Sequence, residues 1–316
     1  MAAAKPTVLQ ALGDKRMTAV LLLSFASGLP FNLTGFTLQA WLADAGLDIK
    51  TIGIFSLVGF PYIFKFLWAP LLDRYLPPLL GRRRGWILIY QVCLTISIGV
   101  MGFCSPTREP YVLGAVALLV AFLSASQDIV FDAYRVDVIP PSERALAAAA
   151  TTFGYRTAAM LAGAALVLIA AGLEQRMGSA FAWRVAFLMV AGLMAATILA
   201  TFWSPEPEDP GRPPATLADA VWLPLRELLS QKGAVGFILL VLLYKVGDAF
   251  ALSLYSAFMI KGVGFSLTEL SVAGKVNMTV STMIGVGLGG IIYIRWGMFR
   301  SMLIFGIGQA LTNLLY

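Results

Sequence analysis

Long apolar runs, separated by short polar connections, dominate the chain. Each has roughly the 20 residues that an α-helix needs to cross the hydrocarbon core of a bilayer. Lipid offers the backbone no hydrogen-bond partners, so such runs are predicted to be helices. The pattern predicts an all-α integral membrane protein of about nine transmembrane helices. The predicted spans are residues 17–42, 51–73, 86–105, 111–137, 145–172, 183–203, 234–260, 268–293 and 300–316.

The long polar connection after the sixth span divides the pattern. Residues 204–214, SPEPEDPGRPP, are acidic and too rich in proline to be helical throughout. After them, apolar residues recur at helical spacing from Leu217 to Leu228, which is typical of an amphipathic helix on a membrane interface. Pro224 falls inside this helix. We therefore predict a cytoplasmic linker with an amphipathic helix at residues 204–233.

An internal resemblance supports two halves. The segment that begins at Ser27 resembles the one that begins at Val246, since each is a span with an early glycine, a polar turn and another span. Parallel repeats of six spans are a known transporter plan. We predict an N-terminal six-helix half at 1–203 and a partial, three-helix C-terminal half at 234–316. On that plan twelve helices are expected and the chain is truncated at its C-terminus; a natural nine-span protein is the alternative.

The composition excludes a water-soluble protein, because 59% of the residues are hydrophobic, only 13% are charged, and the mean hydropathy is +0.82. The net charge of +6 does not indicate a nucleic-acid partner, since the basic residues cluster in short loops. With a cytoplasmic N-terminus, inner loops hold thirteen Lys and Arg residues and outer loops hold four. This bias predicts that orientation in a lipid bilayer. Histidine is absent, so a proton-linked step near neutral pH must use carboxylates.

Ionisable residues recur in the middle of the predicted spans. Each costs roughly 3 kcal/mol at membrane depth even on the mildest insertion scale, so it normally faces a wet cavity or an opposite charge. Their number predicts a lined pathway through a helical bundle. They are Lys65, Asp128, Asp132, Arg156, Lys245, Asp248 and Lys275.

The fourth span carries the densest charge pattern. Asp128, Asp132 and Arg135 recur at i, i+4 and i+7, which places them on one helical face that must look inward. Asp128 lies at a depth similar to Arg156 on the fifth span, and we predict that the two pair. A static salt bridge between these spans is the alternative. Arg135 and Asp137 lie nearer the inner end and are predicted to contact loop charges.

Lysines mark the other candidate binding positions. Lys65 has no acidic neighbour in its own helix, so it is a natural anchor for an anionic substrate; snorkelling is the alternative. Lys245 and Asp248, at i and i+3, are able to neutralise each other. Lys275 and Asn277 lie on the eighth predicted span.

Two local signals predict breaks or contacts at helix ends. Gly28-Leu29-Pro30 is expected to break the first span locally. Asp73-Arg74 ends the second span, and a basic cluster from Arg82 to Arg84 follows it. Ion pairs between these groups would join helix ends and would have to break when the cytoplasmic side opens. A pure topology signal is the alternative.

Several segments resemble one family. SGLPFNLTGFTLQAWL, FKFLWAPLLDRY, GRRRGW and especially QDIVFDAYRVD resemble the AmpG-type muropeptide permeases of the major facilitator superfamily. The loop after Asp73-Arg74 also resembles the superfamily pattern, with Ala69 in place of a glycine and an insertion, YLPPLL. The resemblance implies a major facilitator helical bundle that imports anhydro-muropeptides across the bacterial inner membrane. It implies a proton gradient as the driving force, no cofactor, and a link to β-lactamase induction.

A muropeptide substrate, as the resemblance implies, suggests a role for each candidate residue. Basic side chains suit the carboxylates of a muropeptide, and the acids within the spans suit proton coupling. A monomer is expected. The proton-coupling candidates are Asp128, Asp132 and Asp248; the substrate-binding candidates are Lys65, Arg156, Lys245, Lys275, Gln127, Asn277 and Tyr155; the gating candidates are Asp73, Arg74, Arg82, Arg83, Arg135 and Asp137.

Two other functions remain open at this point. An acetyl-CoA transporter-like protein or another organic-anion/proton symporter of the same superfamily would also have a basic lining. A membrane-embedded enzyme finds little support, since the sequence has no histidine, no metal-ligand cluster and no nucleophile motif.

Overall fold

The computed structural model describes residues 13–207, 214–243, 245–246, 264 and 275–313. The chain divides into two compact units, Met1–Pro213 and Pro214–Tyr316. Every regular element in the described ranges is helical. The division of the chain into residues 1–203, 204–233 and 234–316 stays a prediction.

Among its described residues, the first unit contains six helices that are long and apolar enough to cross a membrane. They correspond to the first six predicted spans, with boundaries shifted by a few residues. The second of them is continued after Trp68 by a short helix, Ala69–Arg74. The helices are α1 (Lys15–Asp44), α2 (Ile49–Leu67), α3 (Arg82–Met101), α4 (Pro110–Val138), α5 (Pro141–Met177) and α6 (Ser179–Trp203).

Helix α1 is the centre of this unit and packs against α4, α5 and α6, while α3 packs against α4 and α6. Leu29, Leu33 and Leu38 of α1 are fully buried, as are Phe187 and Met194 of α6. Apolar burial alone does not hold helices together in lipid, because the tails are as apolar as leucine, so close packing has to contribute.

The closest packing is between α1 and α5, and two glycines make it possible. A Cβ atom on Gly28 would lie 2.8 Å from the Cα atom of Tyr155, and would also overlap the carbonyl oxygen of that residue. A Cβ atom on Gly154 would overlap the hydroxyl of Ser24 and lie 2.6 Å from the carbonyl oxygen of Leu21. Each helix therefore offers a glycine to the other, and the two backbones approach within a distance that larger side chains forbid.

The predicted break at Gly28-Leu29-Pro30 is wrong. The α-helix continues through Pro30 to Asn32, and the irregularity comes later, as a π-helical turn at Leu33–Thr37. Proline lacks the N–H that the preceding turn would bind. Even so, Pro30 lies inside the regular α-helix.

A second π-helical turn, Leu161–Ala165, interrupts α5 beside the first. Side chains of α1 bind carbonyl groups of this part of α5. Asn32 Nδ2 donates to the Ala159 carbonyl at 2.7 Å, and Thr37 Oγ1 donates to the Ala162 carbonyl at 2.6 Å. Polar side chains thus bind backbone groups in lipid-embedded helices, where few other partners exist.

In the second unit, the predicted amphipathic helix is present as α7 (Leu217–Ser230). Thr216 and Asp219 cap its N-terminus reciprocally, and Pro224 lies inside it. The part of this unit that the structure describes contains three further helices: α8 (Ala234–Leu243), α9 (Lys275–Trp296) and α10 (Met298–Asn313). Most of the predicted 234–260 span lies outside the described residues.

Candidate functional site

Three helices of the first unit meet at the carboxylate of Asp128. Asp128 lies on α4 and is 9% exposed. The buried hydroxyl of Ser27, on α1, donates a hydrogen bond to Asp128 Oδ1. The Lys65 ammonium, on α2, lies 3.8 Å from Asp128 Oδ2. A charge inside a predicted span is therefore held by one hydroxyl and one opposite charge.

The local shape of α2 brings Lys65 to this position. Here the α-helix gives way to a 3₁₀ turn at Lys65–Leu67, which changes the direction of the side chains that follow. The next residue, Trp68, fixes α2 on α4: its Nε1 donates to Ser126 Oγ at 3.0 Å, and its ring lies 4.9 Å from that of Phe122. The lysine side chain stays 34% exposed.

The predicted Asp128–Arg156 ion pair is wrong. Among the described residues, the basic partner of Asp128 is Lys65, and Arg156 lies exposed on α5. The prediction did not account for the rotation of α5 about its axis. Its Gly154–Tyr155 backbone packs on α1, and this turns the next side chain away. Lys65 therefore has an acidic partner on a neighbouring helix.

Aromatic rings stand beside the pair. The Phe31 ring lies 5.3 Å from the Tyr62 ring and 5.9 Å from the Tyr155 ring, so α1, α2 and α5 each contribute one aromatic side chain. The charge of Asp128 acts on both tyrosines. We call Phe31, Tyr62 and Tyr155 the aromatic wall.

The other predicted residues of α4 lie in different surroundings. Gln127 is 1% exposed, so its amide faces no open surface in this conformation. Asp132 is the opposite case: its side chain is 53% exposed and pairs with Arg135 at 3.2 Å. Asp128 is thus the acid of this helix that combines burial with a cationic partner from another helix.

The remaining proton-coupling and substrate-binding candidates belong to the second unit. Lys245 lies in its described part. Asp248 lies outside the described residues, and so do the side chains of Lys275 and Asn277 on α9. Their predicted roles in proton coupling and substrate binding stay predictions.

At the other end of α4, Arg83 joins two carboxylates. Its Nη1 lies 2.9 Å from Asp73 Oδ1, and its Nε lies 2.8 Å from Asp137 Oδ2. Arg82 reaches the Asp73 carbonyl at 2.8 Å, whereas Arg74 lies over the Tyr75 ring. We call Asp73, Arg83 and Asp137 the inner network. Asp73 and Asp137 contact the basic cluster as predicted, whereas the predicted contact of Arg135 with loop charges is wrong, because Arg135 pairs with Asp132 on its own helix. The gating role stays a prediction.

The start of the linker is bound to the same end of the bundle, which the sequence did not indicate. Arg84 donates to the carbonyls of Thr201 and Phe202 at 3.1 and 2.8 Å, and it lies 3.8 Å from Glu206 Oε2. Tyr134 donates to the Pro205 carbonyl at 2.8 Å. Burial raises the pKa of Glu206, and the Arg84 charge opposes that shift.

Comparison with known proteins decides the family. Residues 20–316 match the model of the Major Facilitator Superfamily. The chain belongs to that superfamily. This confirms the predicted fold class, an all-α, multi-pass membrane bundle of a transporter family.

Relatives of this chain include named permeases. It is 45% identical over 298 residues to the anhydromuropeptide permease of Escherichia coli K12, a match that covers 94% of this chain and 59% of the permease. The same values hold for the anhydromuropeptide permease of E. coli O157:H7. An uncharacterized protein of Haemophilus influenzae is 37% identical over 303 residues, with 94% and 69% covered. The resemblance to muropeptide permeases is confirmed, and the chain spans 59% of the length of the permeases it matches.

Proposed function

We propose that this chain is part of a proton-driven transporter that imports anhydro-muropeptides across the bacterial inner membrane. The observation that carries the proposal is the Lys65–Asp128 pair, which sets a titratable acid and an anion-binding cation side by side within the spans. The 45% identity with a named anhydromuropeptide permease supports the substrate class.

The proton acts through the charge balance of this pair. When Asp128 is ionised, it holds the Lys65 ammonium. When it takes up a proton, the ion pair is lost, and Lys65 is left with a charge that needs a partner at membrane depth. A substrate carboxylate supplies that partner. Binding of the proton and binding of the anion therefore favour each other, which is the coupling a symporter needs.

The aromatic wall suits the sugar part of the substrate. Sugar rings present apolar faces that stack on aromatic side chains, and Phe31, Tyr62 and Tyr155 stand next to the charged pair. Basic and aromatic groups side by side match a ligand with a carboxylated peptide and a sugar.

Alternating access would require the inner network to open and close. Arg83 is buried and forms ion pairs with both Asp73 and Asp137, so its contacts connect the ends of three helices. Opening the cytoplasmic side would break at least one of them. We further propose a cytoplasmic N-terminus, a monomer, no cofactor other than the proton gradient, and no catalytic activity.

Uptake of labelled anhydro-disaccharide peptides into right-side-out vesicles tests this function. Accumulation above the external concentration that collapses with an uncoupler is expected. Uptake that stops at equilibrium and ignores the uncoupler would contradict proton drive. Displacement by acetyl-CoA at similar concentration, with no displacement by unlabelled muropeptide, would favour the other organic-anion transporter.

A further inference from the structure

Three buried polar atoms on the helices that carry Asp128 and Lys65 lack a hydrogen-bond partner among the described residues. They are the Tyr62 hydroxyl, the Ser124 hydroxyl and Gln127 Oε1. Ser124 and Gln127 are each 1% exposed. Buried polar groups in proteins are almost always hydrogen-bonded, and those without a protein partner normally bind ordered water. Two of them, the hydroxyls of Tyr62 and Ser124, lie beside each other and near the Asp128 carboxylate, which points to a hydrated pocket there.

The positions of Ser124 and Tyr62 show on which side of the Lys65–Asp128 pair the pocket lies. Ser124 lies one helical turn before Asp128 on α4, and Tyr62 lies about one turn before Lys65 on α2. Both are on the side of the pair that faces away from the inner network. The hydroxyls of Ser124 and Thr34 lie beside that of Tyr62. Thr34 already donates to the Pro30 carbonyl at 3.1 Å, so its oxygen is able to accept a bond.

We propose that Tyr62, Ser124 and Thr34 hold ordered water that carries protons from the outer side to Asp128. A bound water needs two to four polar partners, and the hydroxyls of three helices provide them. A sugar hydroxyl is a poorer occupant, because Ser124 is too deeply buried for a ring to reach. The route rests on the proposed function, in which Asp128 takes up the coupling proton.

The groups that face Asp128 leave room for water to reach its carboxylate. Ser27 on α1 occupies Oδ1, and Lys65 on α2 lies near Oδ2. Asp132, one turn further along α4, acts on Asp128 through its charge. On α5, Tyr155 interacts electrostatically with the charge of Asp128 and with the opposite charge of Arg156. Each carboxylate oxygen accepts more than one hydrogen bond, so water is able to reach a remaining lone pair.

The transfer leaves the relay groups unchanged. A proton that arrives at the outer end forms an O–H bond with the first water, and that water releases another proton to the next oxygen. Each hydroxyl breaks one O–H bond as it forms another and ends neutral. The last proton bonds to the Asp128 carboxylate, which becomes a carboxylic acid and loses its ionic attraction to Lys65.

Infrared spectroscopy of the full chain in lipid bilayers tests the route without a transport assay. After a jump to lower pH, the carboxylic C=O band of Asp128 is followed in time and assigned by its loss in Asp128→Asn. The test variants are Tyr62→Phe and Ser124→Ala, which remove one hydroxyl each. Ser124→Thr restores a hydroxyl. Ser97→Ala is the matched control, because that buried hydroxyl on α3 already donates to the Cys93 carbonyl.

Both test variants should slow the appearance of the band roughly fivefold to tenfold, about the effect of one lost hydrogen bond. The final band amplitude should stay the same, and Ser124→Thr and Ser97→Ala should keep the wild-type rate. Wild-type rates in both Tyr62→Phe and Ser124→Ala, with the Asp128 band present, would overturn the route and leave the proposed function standing. Absence of a protonated Asp128 band in the wild type would overturn both.

Discussion

The Lys65 ammonium lies 3.8 Å from a carboxylate oxygen of Asp128, a distance at the long end of the ion-pair range. The two residues belong to different helices and lie within candidate membrane spans. The lysine side chain is about a third exposed, while the aspartate is buried. A competing anion is therefore able to reach the lysine, whereas a proton reaches the aspartate. This asymmetry favours an exchangeable pair over the static salt bridge that was the alternative for Asp128.

A double-mutant cycle on Lys65→Gln and Asp128→Asn measures how strongly the two side chains interact. We expect a stabilising coupling of about 1 kcal/mol in thermal unfolding, since residues in direct contact couple by roughly 0.5–3 kcal/mol. The exposed Asp132–Arg135 pair is the control, and its coupling should be smaller, about 0.3–0.5 kcal/mol. Additive effects of Lys65→Gln and Asp128→Asn would show that the pair carries no interaction.

The contact between α1 and α5 predicts that Gly28→Ala destabilises the protein. The new methyl group would overlap the backbone of Tyr155, which cannot rotate out of the way, and overpacking of this kind costs about 1–3 kcal/mol. Gly192→Ala on α6 is the matched control, because nothing lies within 4 Å of its Cβ position. Thermal unfolding in nanodiscs should show a lower Tm for Gly28→Ala alone. Equal Tm values for the two variants would contradict the close approach.

The inner network predicts that Arg83 is more important for stability than Arg74. Removal of Arg83 leaves the carboxylates of Asp73 and Asp137 without its two hydrogen bonds, and bonds to charged groups contribute about 1.5–3 kcal/mol each before solvent screening. Arg83→Lys should restore little, because an ammonium cannot reproduce the fork of a guanidinium. Arg74→Ala, which loses a stacking contact with Tyr75, should change Tm less. The reverse order would contradict the network.

The raised pKa of Glu206 predicts that this residue makes a pH-dependent contribution to stability. Because burial raises its pKa in the folded state, the folded protein binds this proton more readily than the unfolded chain. Stability should therefore fall as the pH rises from the ordinary carboxyl pKa through the raised value, and then level off. Glu206→Gln removes this pH-dependent contribution to stability. The Tm of the variant should therefore rise relative to the wild-type Tm as the pH rises across that window. A constant Tm difference at all pH values would contradict the assignment.

The sequence was sufficient for the features that depend on length, composition and local spacing. The first six spans follow from runs of apolar residues, and α7 follows from apolar positions at helical spacing. The contact of Asp73 with the basic cluster was also predictable, because a short turn brings the ends of α2 and α3 together.

The site itself depends on how each helix is rotated about its axis, and one sequence does not give this. Asp128 and Arg156 were predicted to pair, yet the backbone packing of Gly154 on α1 turns the arginine away. Ser27 was missed because a lone serine in an apolar span has no distinguishing pattern. The π-helical turns were missed as well, since the extra residue in each has no local signal beyond Pro30 in α1.

Proton movement that accompanies substrate uptake tests the central claim most directly. A pH-sensitive dye trapped in vesicles should report acidification when an anhydro-disaccharide peptide is added outside. In Asp128→Asn this signal should disappear, while exchange of labelled for unlabelled substrate continues. Asp132→Asn, which alters an exposed acid on the same helix, should keep the signal. Wild-type acidification by Asp128→Asn would show that the buried carboxylate beside Lys65 does not carry the coupling proton.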